Sequence, residues 1–540
     1  MRKIVITILL VLIATASYAQ TAYDAFLFSE NNYEGTARTV AMGNVFTALG
    51  GDVGSVGINP AGSAVAKYSQ ITLTPSLTFT TNTASGVSPY ADGSLPYFQG
   101  TYKNTDTKFS LPNLGLTFNW NTNRTSGLKN LTFGFVMNCT NSWNENVYAA
   151  GTNDQTSFMG SLAVSAENNG YLGSQLNLDS AYDMYNWKEV VGYQSGMIST
   201  YGGYDDRFVG ASELIFDNNG QYEIAIGGPL EQTYGRQVKG SKYEYLFNVG
   251  ANISDFIYVG VNLGVSAMDY GYSEYFKEMS VDPSDFQIEL DNGEVMYFDQ
   301  MKYRYNYNVE ASGCFAKFGI ILTPGAGFRF GAAIQTPTAT TIREEWQHAG
   351  ETAFTDSRYD ASASSPYGED KYKFSQPYRA NFGAAYTIGS FAVISADYEL
   401  CDYSKMKFKR TGFTDGRDYF EDLNNDIKTI YGMSHMFRLG AELKFGGLAV
   451  RGGYGLTTSP EKADLFGEPI DVPAIQNASF GLGYASKKSF FADLACRYAF
   501  ATDEYFMPYD DYLLEQEVYA PQILNRKDAW KVFLTIGWRF

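Results

Sequence analysis

Segments with a period of two residues recur along most of this 540-residue chain. Between residues 257 and 267 every odd position is apolar, while the even positions are Tyr, Gly, Asn, Gly and Ser. The segments 437–445 and 490–500 alternate in the same way. Successive side chains of a β-strand point to opposite faces, so a period of two is the geometry of a strand. The pattern predicts an all-β protein.

The alternation predicts fourteen strands, and their connections alternate between short turns and long loops, the longest at 144–237. The predicted strands are 69–81, 107–121, 130–143, 238–252, 256–272, 301–321, 327–342, 376–388, 391–408, 434–445, 448–457, 476–486, 489–501 and 528–540. Most reach the roughly 9–11 residues that a tilted transmembrane strand requires. A soluble sheet can also alternate, but it has no reason to sort its loops by length. Outer-membrane barrels do sort them, so we predict a 14-stranded antiparallel transmembrane β-barrel over 69–540.

Residues 1–19 have the features of a secretory signal peptide. Arg2 and Lys3 precede an apolar run at 4–13, and small residues lead to a predicted cleavage after Ala19. The run is shorter than the roughly 20 residues of a transmembrane helix, and position 20 is not a cysteine that could carry a lipid. Together with the barrel pattern, the signal predicts a protein of the outer membrane of a Gram-negative cell.

Composition argues against several other classes. The 40 Lys and Arg against 58 Asp and Glu give a net charge of −18, the wrong sign for a nucleic-acid partner. There are two histidines, His348 and His435, and the four cysteines have no paired spacing, so we expect neither a metal site nor a cofactor. No G-x-S-x-G motif is present, and we expect no catalytic residues. An outer-membrane hydrolase remains the less favoured alternative.

Residues 20–68 precede the first strand and do not alternate. Fourteen strands enclose a lumen too wide to be filled by wall side chains alone, so we predict that this glycine-rich segment plugs it. Charges on the predicted lumenal face are expected to pair with one another and to brace the plug. They are Arg304, Glu310, Arg329, Asp397, Glu399, Arg438, Glu442, Arg451, Asp493 and Arg497.

Three phrases of this segment resemble the hatch of the FadL/TodX family of outer-membrane transporters of hydrophobic compounds. They are 37–43, 47–52 and 58–62, and the last contains Asn59, Pro60 and Ala61, which match the Asn-Pro-Ala motif of that hatch. The strand phrases 397–399 and 451–455 resemble the branch of the family found in Bacteroidetes.

The resemblance implies passive transport of hydrophobic or amphiphilic small molecules of the long-chain fatty-acid kind. It further implies an outer-loop groove, a pocket beside the hatch and a lateral exit through the wall. We interpret the Asn-Pro-Ala triplet as the hinge of the hatch, since Pro60 fixes its own φ and Asn59 can bond nearby backbone. Small Ala61 and Gly62 would let the hatch lie close to the wall.

The predicted long loop carries large apolar residues at partly helical spacing. The candidate ligand groove consists of Leu172, Leu176, Tyr182, Met184, Tyr185 and Trp187. The same stripe could instead pack the loop onto its own barrel. The alternative functions are a plugged general porin and a haemin receptor, although two histidines give little support for haem ligation.

The chain ends within its last predicted strand. Val532, Leu534, Ile536, Trp538 and Phe540 form one apolar face, which resembles the terminal strand read by the outer-membrane assembly machinery. The expected partners are that machinery, acting through Phe540, outer-membrane lipid and lipopolysaccharide, and a hydrophobic small-molecule ligand. We expect a monomer.

Overall fold

The computed structural model describes residues 21–88, 97–218, 221–290, 292–410, 420–487, 489–510 and 518–540. The predicted signal peptide, 1–19, lies outside the described residues. Fourteen antiparallel strands close into a barrel, since β1 pairs with β14 from Gln70↔Arg539 onward, and the predicted fold class is confirmed to that extent.

The first six strands are β1 (Gln70–Val87), β2 (Thr101–Asn121), β3 (Leu128–Asn153), β4 (Leu230–Ile253), β5 (Ile257–Ser280) and β6 (Val295–Gly325). The next three each consist of two pieces: β7 (Phe328–Gln335 and Ala339–Phe354), β8 (Gly368–Ser375 and Arg379–Ile388) and β9 (Ala392–Asp402 and Lys407–Lys409). The last five are β10 (Met433–Phe445), β11 (Leu448–Thr457), β12 (Ile475–Ala485), β13 (Phe490–Phe506) and β14 (Gln522–Arg539).

Proline accounts for two of the three breaks. Pro337 and Pro377 stand between the pieces of β7 and β8, where a residue without an N–H cannot continue the ladder. Backbone bonds still cross the breaks, because Thr336 N donates to Ala316 O and Gln376 N donates to Thr338 O. Each broken strand therefore acts as one strand of the wall.

The wall is uneven in height. The strands β4, β5 and β6 have 24, 24 and 31 residues, whereas β10, β11 and β12 have 13, 10 and 11. The tall strands extend well beyond their predicted ends, so the connection between β3 and β4 covers 154–229 rather than 144–237. One side of the barrel thus projects far above the other.

The outward face of the lower wall is apolar. Half or more of the surface of Leu263, Phe437 and Phe480 is exposed, as expected for side chains that face lipid. On β14 the outward residues Leu534 and Trp538 continue this belt, and Phe540 closes the ladder through backbone bonds with Ser69.

The connections and the N-terminal segment contain short helices. The α-helices are α1 (Ala22–Ser29), α2 (Ala37–Ala41), α3 (Phe158–Asn168), α4 (Gly173–Leu176), α5 (Trp187–Gln194) and α6 (Glu421–Ile430). The 3₁₀ helices are Val53–Gly57, Pro60–Val65, Asp179–Asp183, Pro283–Asp285, Ser357–Tyr359 and Tyr403–Lys405. Small strands outside the ring are Ile198–Thr200 with Phe208–Gly210, Glu213–Asn218 with Gln221–Ile226, Gln287–Glu289 and Ala361–Ser364. None of the described helices is long and apolar enough to span a membrane.

The β3–β4 connection folds into a separate outer module of helices and two hairpins. Its core includes Phe158, Leu162 and Val190, which pack with Phe276 of β5 and Tyr303 of β6. The outer module is therefore anchored on the tall side of the barrel.

Candidate functional site

The N-terminal segment, residues 21–68, lies inside the barrel and contacts the lumenal side of the wall. Its contacts depend on wall glycines on adjacent strands. A Cβ added to Gly260 of β5 would overlap the backbone of Pro60, one on Gly319 of β6 the Asn59 side chain, and one on Gly331 of β7 the Thr47 carbonyl. Gly383, Gly440 and Gly453 meet the segment in the same way at Thr47, Met42 and Gly43.

These wall glycines were missed by the sequence reasoning, which assigned close packing to the glycines of the segment itself. The available signal was their recurrence on the small or polar face of consecutive strands, as at Gly260 and Gly319. A glycine in a strand interior often marks the close approach of another backbone.

The Asn-Pro-Ala triplet is fully buried where the segment meets β6 and β7. Asn59 caps the helix Pro60–Val65 with an extended backbone, and its Oδ1 accepts from Ala61 N at 3.0 Å. Its Nδ2 donates to Thr47 O at 2.6 Å and to Ile320 O at 3.1 Å. The side chain thus joins two runs of the segment to each other and to the wall, and its bonds to the wall carbonyl go beyond the nearby backbone contacts that were predicted.

The last residue of the motif, Ala61, and the glycine that follows it differ in what they contact. Ala61 packs with Tyr258 and Ile321 of the wall, as predicted. Gly62 instead faces Ser55 and Gly50 of the segment itself, so the expectation that it lies against the wall is wrong.

Buried ion pairs tie the segment to the wall. Arg38 pairs with Glu442 at 3.0 Å, and Glu442 also pairs with Arg451 at 2.6 Å. Glu34 pairs with Arg497 and with Lys531, at 3.0 and 2.6 Å. Burial by itself raises the pKa of Glu34, but Lys531 and Arg497 outweigh it and hold that pKa below its usual value.

Most of the charges predicted to face the lumen do so, and two do not. The predicted charges that are buried inside the barrel are Asp397, Glu399, Arg438, Glu442, Arg451, Asp493 and Arg497. Arg304 and Glu310 are exposed on the outward face of β6. They lie on the part of β6 that projects above the low wall.

The upper lumen is lined by aromatic rings. The inward residues of upper β6 are Tyr303, Tyr305 and Tyr307, and His348 of β7 lies 4.6 Å from Tyr305 between ring centroids. Trp187 of the outer module is 5.6 Å from Trp346 of β7. These contacts connect the outer module with the lumen.

The ring contacts continue to α1. Phe26 lies 5.2 Å from Tyr403 and 5.7 Å from Tyr431, and Phe28 lies 5.8 Å from Phe374. The same apolar cluster includes Tyr307 and Tyr372. Aromatic surface thus extends from the outer module to the start of the N-terminal segment.

The residues of the predicted ligand groove occupy different environments. Leu176 is fully buried in the core of the outer module, where it packs the module and is closed to a ligand. Tyr182 and Tyr185 are partly buried against that core, and Met184 is 57% exposed. Leu172 is partly buried and Trp187 faces the barrel. The groove as a ligand site stays a prediction.

A cavity of about 240 Å³ lies between the N-terminal segment and the low wall. Phe26 and Tyr33 line it from the segment, and Arg438 and Arg497 line it from β10 and β13. The 458–474 connection covers it with Glu461, whose burial raises its pKa above the usual value. The described residues contain no cluster of three His, Cys, Asp or Glu side chains placed to hold a metal ion.

The architecture is that of a closed barrel whose lumen is filled below by an N-terminal segment and lined above by aromatic rings. No protein-family model and no curated protein matches the chain. Solved structures match the chain over nearly their whole length, and two of them are representative. A Pseudomonas aeruginosa FadL homologue has 12% identity and a TM-score of 0.50, with 94% of this chain and 99% of that chain covered. The P. putida toluene transporter TodX has 11% identity and a TM-score of 0.52, with 95% and 99% covered.

At these identities the likeness establishes the fold, and this chain has the fold of the FadL-type barrels. The sequence resemblance to that family and the structural likeness therefore agree. The comparisons do not support the predicted assignment to the Bacteroidetes branch.

Proposed function

We propose that this protein is a FadL-type transporter of the Gram-negative outer membrane that passes hydrophobic or amphiphilic small molecules without an energy source. The observation that carries the proposal is the aromatic upper lumen above a segment that fills the lower lumen. A general porin has a polar, water-filled lumen. Rings such as Tyr305 and Trp346 instead offer apolar surface to a molecule that leaves water.

The proposed route begins at the outer module and follows the aromatic contacts inward. A ligand would pass Trp187 and Trp346, then the tyrosines of β6, and would reach the cavity beside Phe26 and Tyr33. It would leave through the wall into the bilayer, because an apolar molecule gains nothing by entering a watery exit. The long-chain fatty-acid kind of ligand belongs to this proposal.

Residues 20–68 would serve as the hatch. Asn59 fixes the segment to β6, while Arg38 and Glu34 are paired with wall charges. Breaking a buried pair by removing one partner is strongly destabilising, so these contacts favour a segment that stays docked while ligands pass beside it.

The remaining expectations concern assembly and chemistry. The apolar outer belt and terminal Phe540 support insertion by the barrel-assembly machinery after removal of residues 1–19. We propose a monomer surrounded by outer-membrane lipid and lipopolysaccharide. We also expect no hydrolysis of lipid or peptide substrates.

Two measurements on the purified full-length protein test the proposal. In planar bilayers we expect no large steady conductance, and in proteoliposomes we expect entry of a hydrophobic probe such as a fluorescent fatty acid. A large open channel that passes ions and sugars would show a porin instead. Failure of the probe to enter faster than in protein-free vesicles would overturn the transport proposal.

A further inference from the structure

The six short turns lie at one end of the barrel, and that end is basic although the chain carries a net charge of −18. The turns with two residues on either side, together with the last residues of the N-terminal segment and of β14, hold seven described cations and one described acidic side chain, Asp255. The cations are Lys67, Arg124, Lys129, Arg329, Lys444, Lys487 and Arg539. Short turns of outer-membrane barrels face the periplasm, so the basic end faces the periplasm in the proposed orientation.

A cavity of about 510 Å³ opens at this basic end. Gly325 and Gly327 line it from the β6–β7 turn, and Asp255 lines it from the β4–β5 turn. Tyr258 also lines the cavity and packs with Ala61 of the N-terminal segment, so the cavity lies on the lumenal side of the wall. It is therefore reached from the periplasm, while the lipid around the ring lies on the other side of the wall.

Three cations line this periplasmic cavity, and they differ in how far they are engaged. Arg38 and Lys444 both pair with Glu442, at 3.0 and 3.2 Å. Arg329 donates from Nη1 to the Leu49 carbonyl, and among the described residues it has no carboxylate partner. A guanidinium carries more N–H donors than this single bond uses. Arg329 therefore keeps donors for a ligand.

The acidic residue of the cavity does not neutralise it. Asp255 pairs with Lys129 at 2.6 Å and with Lys67 at 3.4 Å, and the Asn252 amide donates to its Oδ1. Two lysines outweigh one carboxylate at this place, and Lys444 across the cavity is 45% exposed. A cleft lined by one sign of charge attracts ligands of the opposite sign. The periplasmic cavity thus favours an anionic ligand.

The form of that ligand follows from the surroundings of the cavity. The fork of a guanidinium suits a group with two acceptor oxygens, such as a carboxylate. Head groups of the surrounding lipid lie outside the ring and are separated from the cavity by the wall. Arg124 and Lys487 extend the basic surface over exposed turns outside the cavity, where a single small anion would leave them unused. A polypeptide segment with several carboxylates matches both the cavity and the turns.

We propose that the periplasmic cavity is a docking site for a segment rich in glutamate or aspartate on a periplasmic protein, with Arg329 donating to one of its carboxylates. The inference rests on the orientation that the proposed function gives to the barrel, and it adds a partner to that function. The exposed turn cations attract the acidic segment as it approaches, and Arg329 binds it in the cavity.

The test measures binding of fluorescent decaglutamate to the full-length protein in a nonionic detergent, by fluorescence anisotropy, with decaglutamine as the neutral peptide of equal length. For the wild type we expect decaglutamate to bind about tenfold or more tightly than decaglutamine. In Arg329→Gln the affinity for decaglutamate should fall about tenfold, because a charge-assisted pair is lost. Arg329→Lys should fall between the two, since it keeps the charge without the fork.

Lys487→Gln is the matched control, because it removes the same charge from the same end of the barrel at an exposed position outside the cavity. It should weaken decaglutamate binding by less than about twofold. Heat-modifiable gel migration checks that each variant is folded. If Arg329→Gln does not fold, Lys444→Gln, at the other accessible cation of the cavity, takes its place with the same expectation.

Equal losses in Arg329→Gln and Lys487→Gln would show attraction to the basic end as a whole and would overturn the docking site. If inorganic phosphate displaced the peptide as effectively as unlabelled decaglutamate does, the cavity would be a small-anion site. If phosphatidylglycerol added to the detergent did so, the site would belong to lipid head groups. Either result would overturn the inference.

Uptake of a fluorescent fatty acid into proteoliposomes, measured on the same preparations, separates this inference from the proposed function. Wild-type uptake without binding of decaglutamate would overturn the docking site and leave the transport function standing. Absent uptake would overturn the transport function, whatever the peptide does.

Discussion

The lower and upper parts of β6 place opposite chemistry on the same faces. In the lower part Phe318 and Ile320 point outward and are exposed, while Lys317 and Gly319 face the lumen. In the upper part the outward residues include Arg304 and Glu310, and the inward residues are tyrosines such as Tyr305. The period of two is unbroken from Met301 to Ile321. Alternation therefore shows which residues share a face and leaves open which medium that face meets.

The difference follows from the surroundings of each part. The lower wall has an apolar outer face, and on its inner side it holds the N-terminal segment by close backbone contact and buried polar bonds. The upper wall has charged residues on its outer face and encloses aromatic rings. We therefore expect polar and steric changes to act on the lower part, where they open the barrel, and ring removal to act on the upper part, where it impairs uptake.

The largest effect is expected from Gly319→Val in the lower barrel. A Cβ at this position would overlap the Asn59 side chain, and overpacking of this kind costs about 1–3 kcal/mol or more. The strand ladders do not involve that side chain, so the barrel should form while the segment is displaced. Single-channel recording in planar bilayers should show ion conductance far above that of the wild type.

The matched control for this variant is Gly452→Val. Gly452 also lies in a barrel strand, but a Cβ there would meet nothing within 4 Å. It should leave conductance at the wild-type level. If both variants conduct equally, or if neither does, close packing at the wall glycines does not hold the segment in place.

Asn59→Ala should loosen the segment without displacing it. The change removes the buried bonds to Thr47 O and Ile320 O, and the loss of buried hydrogen bonds costs about 1–3 kcal/mol in docking. Hydrogen exchange measured by mass spectrometry should speed up over residues 42–65 and stay unchanged in the barrel strands. Asn308→Ala, at an exposed position of β6, serves as the control. Unchanged exchange at 42–65 would remove Asn59 from the hinge.

Trp187→Ala tests the upper part. Loss of its ring contact with Trp346, a contact class worth about 0.5–1.5 kcal/mol, should lower hydrophobic-probe uptake about two- to tenfold without raising conductance. Tyr204→Ala, on an exposed ring of the same outer module, should have no effect on uptake. A rise in conductance in Trp187→Ala would contradict the division between the two parts.

The smallest expected effect is the pH dependence of the docking of α1. Burial raises the pKa of Asp24 from 3.8 to about 6, while bonds from Thr21 act in the opposite direction. The docked state thus binds a proton more tightly than the undocked state, so docking weakens as pH rises from about 4 to about 6. After correction for intrinsic rates, amide protection in α1 should be about two- to tenfold higher near pH 5 than near pH 8.

Asp24→Asn should abolish this pH dependence. Asp205→Asn, at an exposed carboxylate of the outer module, should leave it intact. If amide protection of α1 in the wild type does not change with pH, the Asp24 carboxyl does not influence the docking of α1.

The sequence by itself determined the strand number and most strand ends on the low wall. The turn between β10 and β11, for example, falls at 446–447 as predicted. These features are local, since the period of two and the turn residues are set by neighbouring positions in the chain.

Only the tertiary structure decided the outward position of Arg304, the burial of Leu176 and the close contact of Gly319 with the N-terminal segment. Each depends on what lies opposite in space. Gly319 meets the side chain of Asn59, a residue 260 positions earlier. Such environments arise from closure of the barrel around its own N-terminus, which no local pattern encodes.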